Sequence, residues 1–288
     1  MREAKHYRGA TGFFDTHAHL YDAKFDKEGM APSDILNAAS EAGVTRILIP
    51  ADNLDTSRLA VEYRRAHNGE CGVELYASVG VHPHEASSWC SEVEQEIMNF
   101  VDSFSRRERG IMALGEIGLD YYYDLSPRDV QRSVFRRQLE IAHEADIPVI
   151  IHERDATGDM LSILRQASAD GILRASPGVC HCCSMSREAA SEMVKMGFYI
   201  GVDGPLTFKN NKKTPEVVLN TPIDRLVIET DSPYLTPEPN RGMINGPEYV
   251  PFVAARLASL LGMSEEEICR ITAENGLRMY EIGTSLTP

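Results

Sequence analysis

Short apolar runs alternate with amphipathic stretches along nearly the whole chain. The first run, Phe13-Phe14, has strand character and leads into Asp15-Thr16-His17-Ala18-His19. Residues 31–42 then read as a helix, with Pro32 and Ser33 at its start and Gly43 as its C-cap. The same order returns down the sequence. Strands are predicted over 44–50, 73–80, 111–120, 147–152, 178–183, 198–202 and 226–231. Helices are predicted between them over 54–67, 92–104, 128–145, through Met160 and Leu164, over 187–196 and over 216–219. A Pro- and Gly-rich stretch, 232–247, reads as an ordered loop, and two amphipathic helices, 247–261 and 264–282, finish the chain.

Val- and Ile-rich strands separated by helices imply a parallel sheet covered by helices. Eight such units in 288 residues favour one closed (β/α)8 TIM barrel with an extra C-terminal helix, preceded by an extension over 1–11. No Gly-x-Gly-x-x-Gly turn follows the first strand, which lowers the odds of a dinucleotide fold. A single domain over 1–288 is therefore expected.

Composition narrows the function classes. Hydrophobic residues make up 43% and charged residues 25%, and no apolar run has the length of a membrane span. The first ten residues carry no apolar leader core, so a soluble, cytoplasmic monomer is expected. The six cysteines form no small-scaffold framework and are expected as reduced thiols. Cys180, Cys182 and Cys183 lack a Cys-x-x-Cys partner and are expected as buried thiols rather than a separate zinc site. A net charge of −14 argues against a broad nucleic-acid surface, yet cations held in one cleft can reverse the local field.

The candidate chemistry lies at strand ends. His17 and His19 share one face of an extended segment, because alternate side chains point the same way. Two imidazoles so placed suit a divalent metal. Glu116 is the lone charge inside an apolar strand, closely flanked by glycines; without a partner, its burial would be costly. His152, His181 and Asp231 likewise fall at or near C-terminal strand ends, the rim where such barrels keep their sites. Six ligands exceed what one tetrahedral ion takes, so two divalent ions sharing one carboxylate is the economical arrangement, with Glu116 as the bridge. His82 and His84 follow the third strand, face the same rim and are candidate substrate contacts at the scissile phosphate. Arg154, Lys209 and Arg241, in the loops after strands five, seven and eight, are candidate phosphate contacts. Tyr121, Tyr122 and Tyr123 could stack unpaired bases, although packing is expected for at least two of them. His6, His67 and His143 fall in the tail or on helices and are given no role.

Several motifs carry a resemblance: Asp15-Thr16-His17-Ala18-His19-Leu20, Gly80-Val81-His82-Pro83-His84, Gly115-Glu116-Ile117-Gly118-Leu119-Asp120-Tyr121-Tyr122, His152-Glu153-Arg154-Asp155-Ala156, His181-Cys182, Thr230-Asp231-Ser232-Pro233-Tyr234-Leu235 and Asn240-Arg241-Gly242. Together they resemble the signatures of the TatD family of metal-dependent deoxyribonucleases, in the amidohydrolase superfamily. The resemblance implies one ion on His17, His19, Glu116 and Asp231 and a second on Glu116, His152 and His181. It implies hydrolysis of DNA phosphodiesters, with single strands trimmed from the 3′ end, and Asp231 as a candidate general base. Four histidines favour Zn2+ or Mn2+ on ligand softness, although such nucleases are usually assayed with Mg2+. Where the family continues Cys-Phe-Ser-Gly after the histidine, this chain has Cys182-Cys183-Ser184-Met185, which loses an aromatic and a flexible glycine beside the second ion and so bears on pocket width and substrate preference. Ala18 replaces a frequent cysteine on the face turned away from the ions. A small-molecule amidohydrolase or lactonase on the same two-metal barrel is the alternative, and a non-catalytic metal or nucleic-acid binder is a third.

Overall fold

The computed structural model describes residues 12–283; the extension over 1–11, with His6, lies outside the described residues. Eight parallel strands stand in sequence order, each paired with the next: β1 (Phe13–Asp15), β2 (Val44–Ile49), β3 (Glu74–Val79), β4 (Ile111–Asp120), β5 (Val149–Arg154), β6 (Gly178–Cys180), β7 (Tyr199–Val202) and β8 (Leu226–Ile228). The ring closes where the first strand meets the last. There the Thr16 N–H donates to the Ile228 carbonyl at 3.2 Å, Asp231 N–H to the His17 carbonyl at 2.9 Å, and His19 N–H to the Ser232 carbonyl at 2.8 Å. This is a (β/α)8 TIM barrel.

Among the described residues, eleven α-helices accompany the strands: α1 (Ala23–Lys27), α2 (Pro32–Glu41), α3 (Leu54–His67), α4 (Ser91–Val101), α5 (Ser103–Arg109), α6 (Arg128–Glu144), α7 (Thr157–Ala169), α8 (Arg187–Lys195), α9 (Lys213–Asn220), α10 (Val250–Leu261) and α11 (Glu265–Met279). The single helix expected over 92–104 is two, broken at Asp102, whose φ/ψ of −50°/134° no helix sustains. Helix α1 is only five residues long, capped by Asp22 accepting from the Lys24 amide, and so short an element leaves no periodic trace in sequence. None of the helices among the described residues is long and apolar enough to cross a membrane.

Two apolar layers hold the ring. Inside it, Phe14, Leu48, Ala113, Ile150, Val179, Tyr199 and Val227 come from seven different strands, and Ala273, Met279 and Tyr280 from the end of α11 pack onto them. The extra C-terminal helix therefore plugs the barrel, and the Tyr280 hydroxyl donates to the Thr16 carbonyl at 3.2 Å. Outside it, Phe13, Ile47, Leu75 and Ile151 meet the inner faces of the helices. A filled interior leaves the rim at the C-terminal strand ends as the place for a cavity.

The glycines around Glu116 have a packing cause. A Cβ on Gly115 would lie 2.6 Å from Ile150 Cβ, and one on Gly118, at φ 138°, would lie 2.0 Å from the His152 carbonyl oxygen. Strands β4 and β5 can approach closely only because neither position has a side chain.

Candidate metal centre

A cavity of about 760 Å3 opens at the rim. His19, His82, His84, Glu116, His152, His181 and Asp231 all line it, and His17, fully buried, sits at its base. All six sequence-derived ligands therefore converge.

Four donor atoms form one group. His17 Nε2 lies 3.3 Å from His19 Nε2, 3.3 Å from Glu116 Oε2 and 3.7 Å from Asp231 Oδ1. His19 Nε2 is 3.4 Å from Glu116 Oε2 and 3.5 Å from Asp231 Oδ1. Ligands about 2.0–2.2 Å from a tetrahedral ion stand roughly 3.3–3.6 Å apart, and these five separations, 3.3 to 3.7 Å, come close to that spacing. The other carboxylate oxygen serves a second group. Glu116 Oε1 is 2.7 Å from His181 Nε2 and 3.6 Å from His152 Nδ1, and those two nitrogens are 3.2 Å apart. His82 Nε2 stands further off, 3.9 Å from Glu116 Oε1. One buried carboxylate thus faces two separate sets of imidazole nitrogens.

The electrostatics divide the ligands: burial works against protonating His19 and His152, yet Asp52 and Asp231 raise His19 well above the usual imidazole range, and Asp120 and Glu116 raise His152 to about 9, so a cation would displace a proton from each. Burial drives His17 down to about 4, with the neighbouring His181 pushing the same way, so its ring is neutral and its lone pair available. Burial also lowers His82, well below the usual imidazole range, reinforced by His152. Burial opposes the charge of Glu116, yet His181 and His17 outweigh it and hold that carboxyl well below the usual range. Asp231 is lowered too: burial works against its charge, and His19 and His17 overcome it. Both carboxylates are therefore ionised at neutral pH and ready to bind metal.

Sequence reasoning missed Asp120, the last residue of β4. It is fully buried and accepts from four donors: His84 Nε2 at 2.9 Å, His152 Nε2 at 3.0 Å, and the Tyr122 and Tyr123 amides at 2.9 and 2.8 Å. Gln131 in turn grips its backbone from α6, accepting from the Asp120 N–H and donating to its carbonyl. Orienting carboxylates of this kind fix which imidazole nitrogen faces a metal. The available signal was an acid at the end of an apolar strand, four residues beyond Glu116. Asp15 was missed in the same way. It is buried, with Thr230 Oγ1 donating to it at 2.6 Å and its own Oδ1 accepting from the His17 amide at 3.2 Å. Burial nonetheless pushes it up to about 7.

The remaining candidates divide. Arg154 lines the cavity, its guanidinium 3.9 Å from the Tyr122 ring centre and 4.9 Å from that of Tyr123. Lys209 and Arg241 do not line it; Arg241 instead lies 4.2 Å above the Phe208 ring. The expectation that at least two of the three tyrosines pack is overturned. Tyr121 is half-buried and donates to Asp159 at 2.7 Å, while Tyr122 and Tyr123, which touch each other and Arg154, are 58% and 53% exposed. Cys183 and Met185 are core residues and line no part of the cavity, so the departure after His181 acts through packing beneath the site; Cys182 and Ser184 are the residues on the wall. Ala18 is buried in the core, facing away as expected.

Comparison with known proteins decides the family, because the model for TatD related DNase matches residues 14–281. The chain belongs to the TatD family. Its relatives in the family include the uncharacterized metal-dependent hydrolase YabD of Bacillus subtilis, 40% identical over 269 residues and covering 93% of this chain and 99% of that one. Another, from Pectobacterium carotovorum, is named a 3′-5′ ssDNA/RNA exonuclease, TatD; it is 30% identical over 274 residues, covering 93% of this chain and 99% of its own. Among solved structures, the TatD homologue YjjV of Escherichia coli superposes with a TM-score of 0.81 at 28% identity, covering 94% of this chain and 98% of that one. This TatD protein is accordingly a metal-dependent hydrolase, and its barrel is the family's.

Proposed function

We propose that this TatD protein seats two divalent cations about Glu116 and hydrolyses phosphodiester bonds of nucleic acid, removing nucleotides from the 3′ end of single-stranded DNA. The observation that carries this is the division of labour within one carboxylate. Glu116 Oε2 completes a tetrahedron of donors with His17, His19 and Asp231, and Oε1 faces His152 and His181. Bound there, paired cations supply Lewis acidity toward a phosphoryl oxygen and acidify a water.

The protein's own groups do the rest. Asp231, ionised and at the cavity wall, is placed to take the water's proton as general base. His82 Nδ1 accepts from the His84 amide at 3.1 Å, so the neutral ring carries its proton on Nε2 and offers it to a phosphate oxygen. His84 spends its Nε2–H on Asp120, which anchors the ring rather than freeing it. Arg154 supplies a positive charge where the substrate backbone would leave the cavity. Tyr122 and Tyr123 beside it present exposed rings for unpaired bases, each stack being worth about 1–3 kcal/mol. Lys209 and Arg241 are left for a longer strand that extends past the rim. Zn2+ or Mn2+ suits the imidazole-rich donors better than Mg2+.

The decisive experiment uses purified protein, a 5′-labelled single-stranded oligonucleotide, the same oligonucleotide with a blocked 3′ end, and Mg2+, Mn2+ or Zn2+ in turn. The expected product is a ladder shortening from the 3′ end, suppressed by the block and absent in Glu116→Ala. Oligonucleotide intact under every metal, with turnover of amides or lactones instead, would overthrow the nuclease reading.

A further inference from the structure

Behind Asp231 lies a group of acids that neither the two cation positions nor the substrate contacts use. Asp203, just past β7, is 2% exposed, and its Oδ2 has no hydrogen-bond partner. Glu229 is fully buried beside it, accepting the Cys182 amide at 2.5 Å and the Thr16 hydroxyl at 3.3 Å. Among the described residues, no lysine or arginine forms an ion pair with Asp203, Glu229 or Asp231; the partners of Asp231 are His17 and His19. A buried carboxylate oxygen with no donor costs about 1–3 kcal/mol, and more when ionised; burial accordingly pushes Asp203 up to about 8 and Glu229 well above the usual carboxylate range, so each carries a proton in place of a positive partner.

Cys182 supplies the second half. Unlike Cys180 and Cys183, which are core residues, it lines the cavity. Its backbone is left-handed, at φ 44°, and is held there by Glu229. Cys182 Sγ, one oxygen of Asp203 and one of Asp231 all lie within 4.8 Å of one another. A thiolate flanked by two carboxylates suits a borderline divalent ion.

We propose that Cys182, Asp203 and Asp231 form a third cation position, distinct from the two about Glu116, that takes a thiolate-accepting ion such as Zn2+, Fe2+ or Co2+. As the ion binds, the Cys182 thiol and the Asp203 carboxyl each release a proton to solvent, and the sulfur and the carboxylate become ligands. The ion gives the buried Asp203 carboxylate a positive partner and sets a further positive pole on the cavity wall, open to an anionic oxygen of the substrate. Asp231 is shared with the first cation position, so the inference rests on the preceding reading at that one residue.

Cobalt is the probe, because a cobalt–thiolate bond gives a near-ultraviolet charge-transfer band that imidazole and carboxylate ligands do not. Chelator-stripped full-length protein is titrated with Co2+, following that band and, by equilibrium dialysis, the number of ions retained. Wild type should bind three equivalents and show the band; Cys182→Ser should lose the band, and Asp203→Ala should lose one equivalent while keeping two. A wild type that retains two equivalents with no band would refute the third position and leave the two-cation reading standing. A band that survives Cys182→Ser would assign it to another cysteine and equally refute it. A wild type that binds no Co2+ would sink both readings. Circular dichroism of each variant confirms that it is folded, and the wild-type result alone is sufficient to reject the proposal.

Discussion

Replacing Asp120 by Asn changes almost no volume but reverses a hydrogen bond. In the native protein the carboxylate can only accept, so His152 must donate from Nε2, at 3.0 Å, and its Nδ1 lone pair is turned toward Glu116 and His181. Burial opposes the charge of Asp120, yet hydrogen bonds from His152 and His84 hold its carboxyl far below the usual range. In Asp120→Asn the side-chain oxygen stays with the Tyr122 and Tyr123 amides, 2.9 and 2.8 Å away, which places the NH2 group at the histidines. That NH2 donates to Nε2, the proton moves to Nδ1, and the lone pair facing the second cation position is lost. Removing such an orienting partner weakens metal affinity about 10–100-fold, or about 1.4–2.8 kcal/mol. The loss should be confined to one position, because Asp120 touches none of His17, His19 or Asp231. Chelator-competition titration with Zn2+ should therefore show the phase of the His152–His181 position weakened about 10–100-fold and that of the His17–His19–Asp231 position unchanged. Two unchanged phases, or an equal fall in both, would refute the tautomer argument.

Other perturbations follow from the same geometry. Stripping the ions with a chelator should lower the melting temperature, since ligand at 100 times its Kd adds about 2.7 kcal/mol, roughly 5 °C or more for a chain this size; an unmoved melting curve would mean that no cation binds the native state. Tyr122→Ala and Tyr123→Ala should raise KM for a single-stranded oligonucleotide at nearly constant kcat, and an unaltered KM would remove both rings from the substrate path. Gly118→Ala forces a Cβ to within 2.0 Å of the His152 carbonyl oxygen and should cost at least about 2 kcal/mol in urea unfolding; a wild-type midpoint would show that β4 and β5 can part without penalty. Glu248, whose Oε2 is buried without a partner, is raised above its ordinary value by burial. Its native carboxyl holds the proton more tightly than the unfolded chain does, so the stability it contributes is present at low pH and lost as pH rises through the folded value. Glu248→Gln should remove that part of the fall and leave the protein more stable at neutral pH; an identical pH profile would contradict the assignment.

The strands were legible because most of each is an apolar run buried on both faces, Arg46 and Glu74 being exceptions in β2 and β3, and the ligands because they are polar residues within or just past those runs. Glu116 stood out as the one charge in the interior of Ile111–Asp120, and the glycines beside it advertised a close approach that proves to be β5. Asp120 and Asp15 did not stand out, since a carboxylate that orients a ligand is identified by the atom it faces, and that atom lies 32 residues away for His152 and 215 for Thr230. The tyrosines misled for a related reason. Three identical residues in a row cannot all face one way, and only the neighbour Asp159 determines that Tyr121 is the one tied down. Cys182 looked like one thiol of three until the fold sent its two companions into the core.

The junction of β1 with β8 joins residues more than 200 positions apart, and His17, His19 and Asp231 straddle it. A cation gripped by all three is in effect a removable rivet across the last join of the ring, tying down a closure that the backbone must otherwise maintain over a very long loop. Occupancy and closure are then two faces of one equilibrium. Amide exchange at Thr16 and Asp231 should slow on metal addition, and a polypeptide cut off before its eighth strand could never hold the first ion, whatever the rest of it folds into.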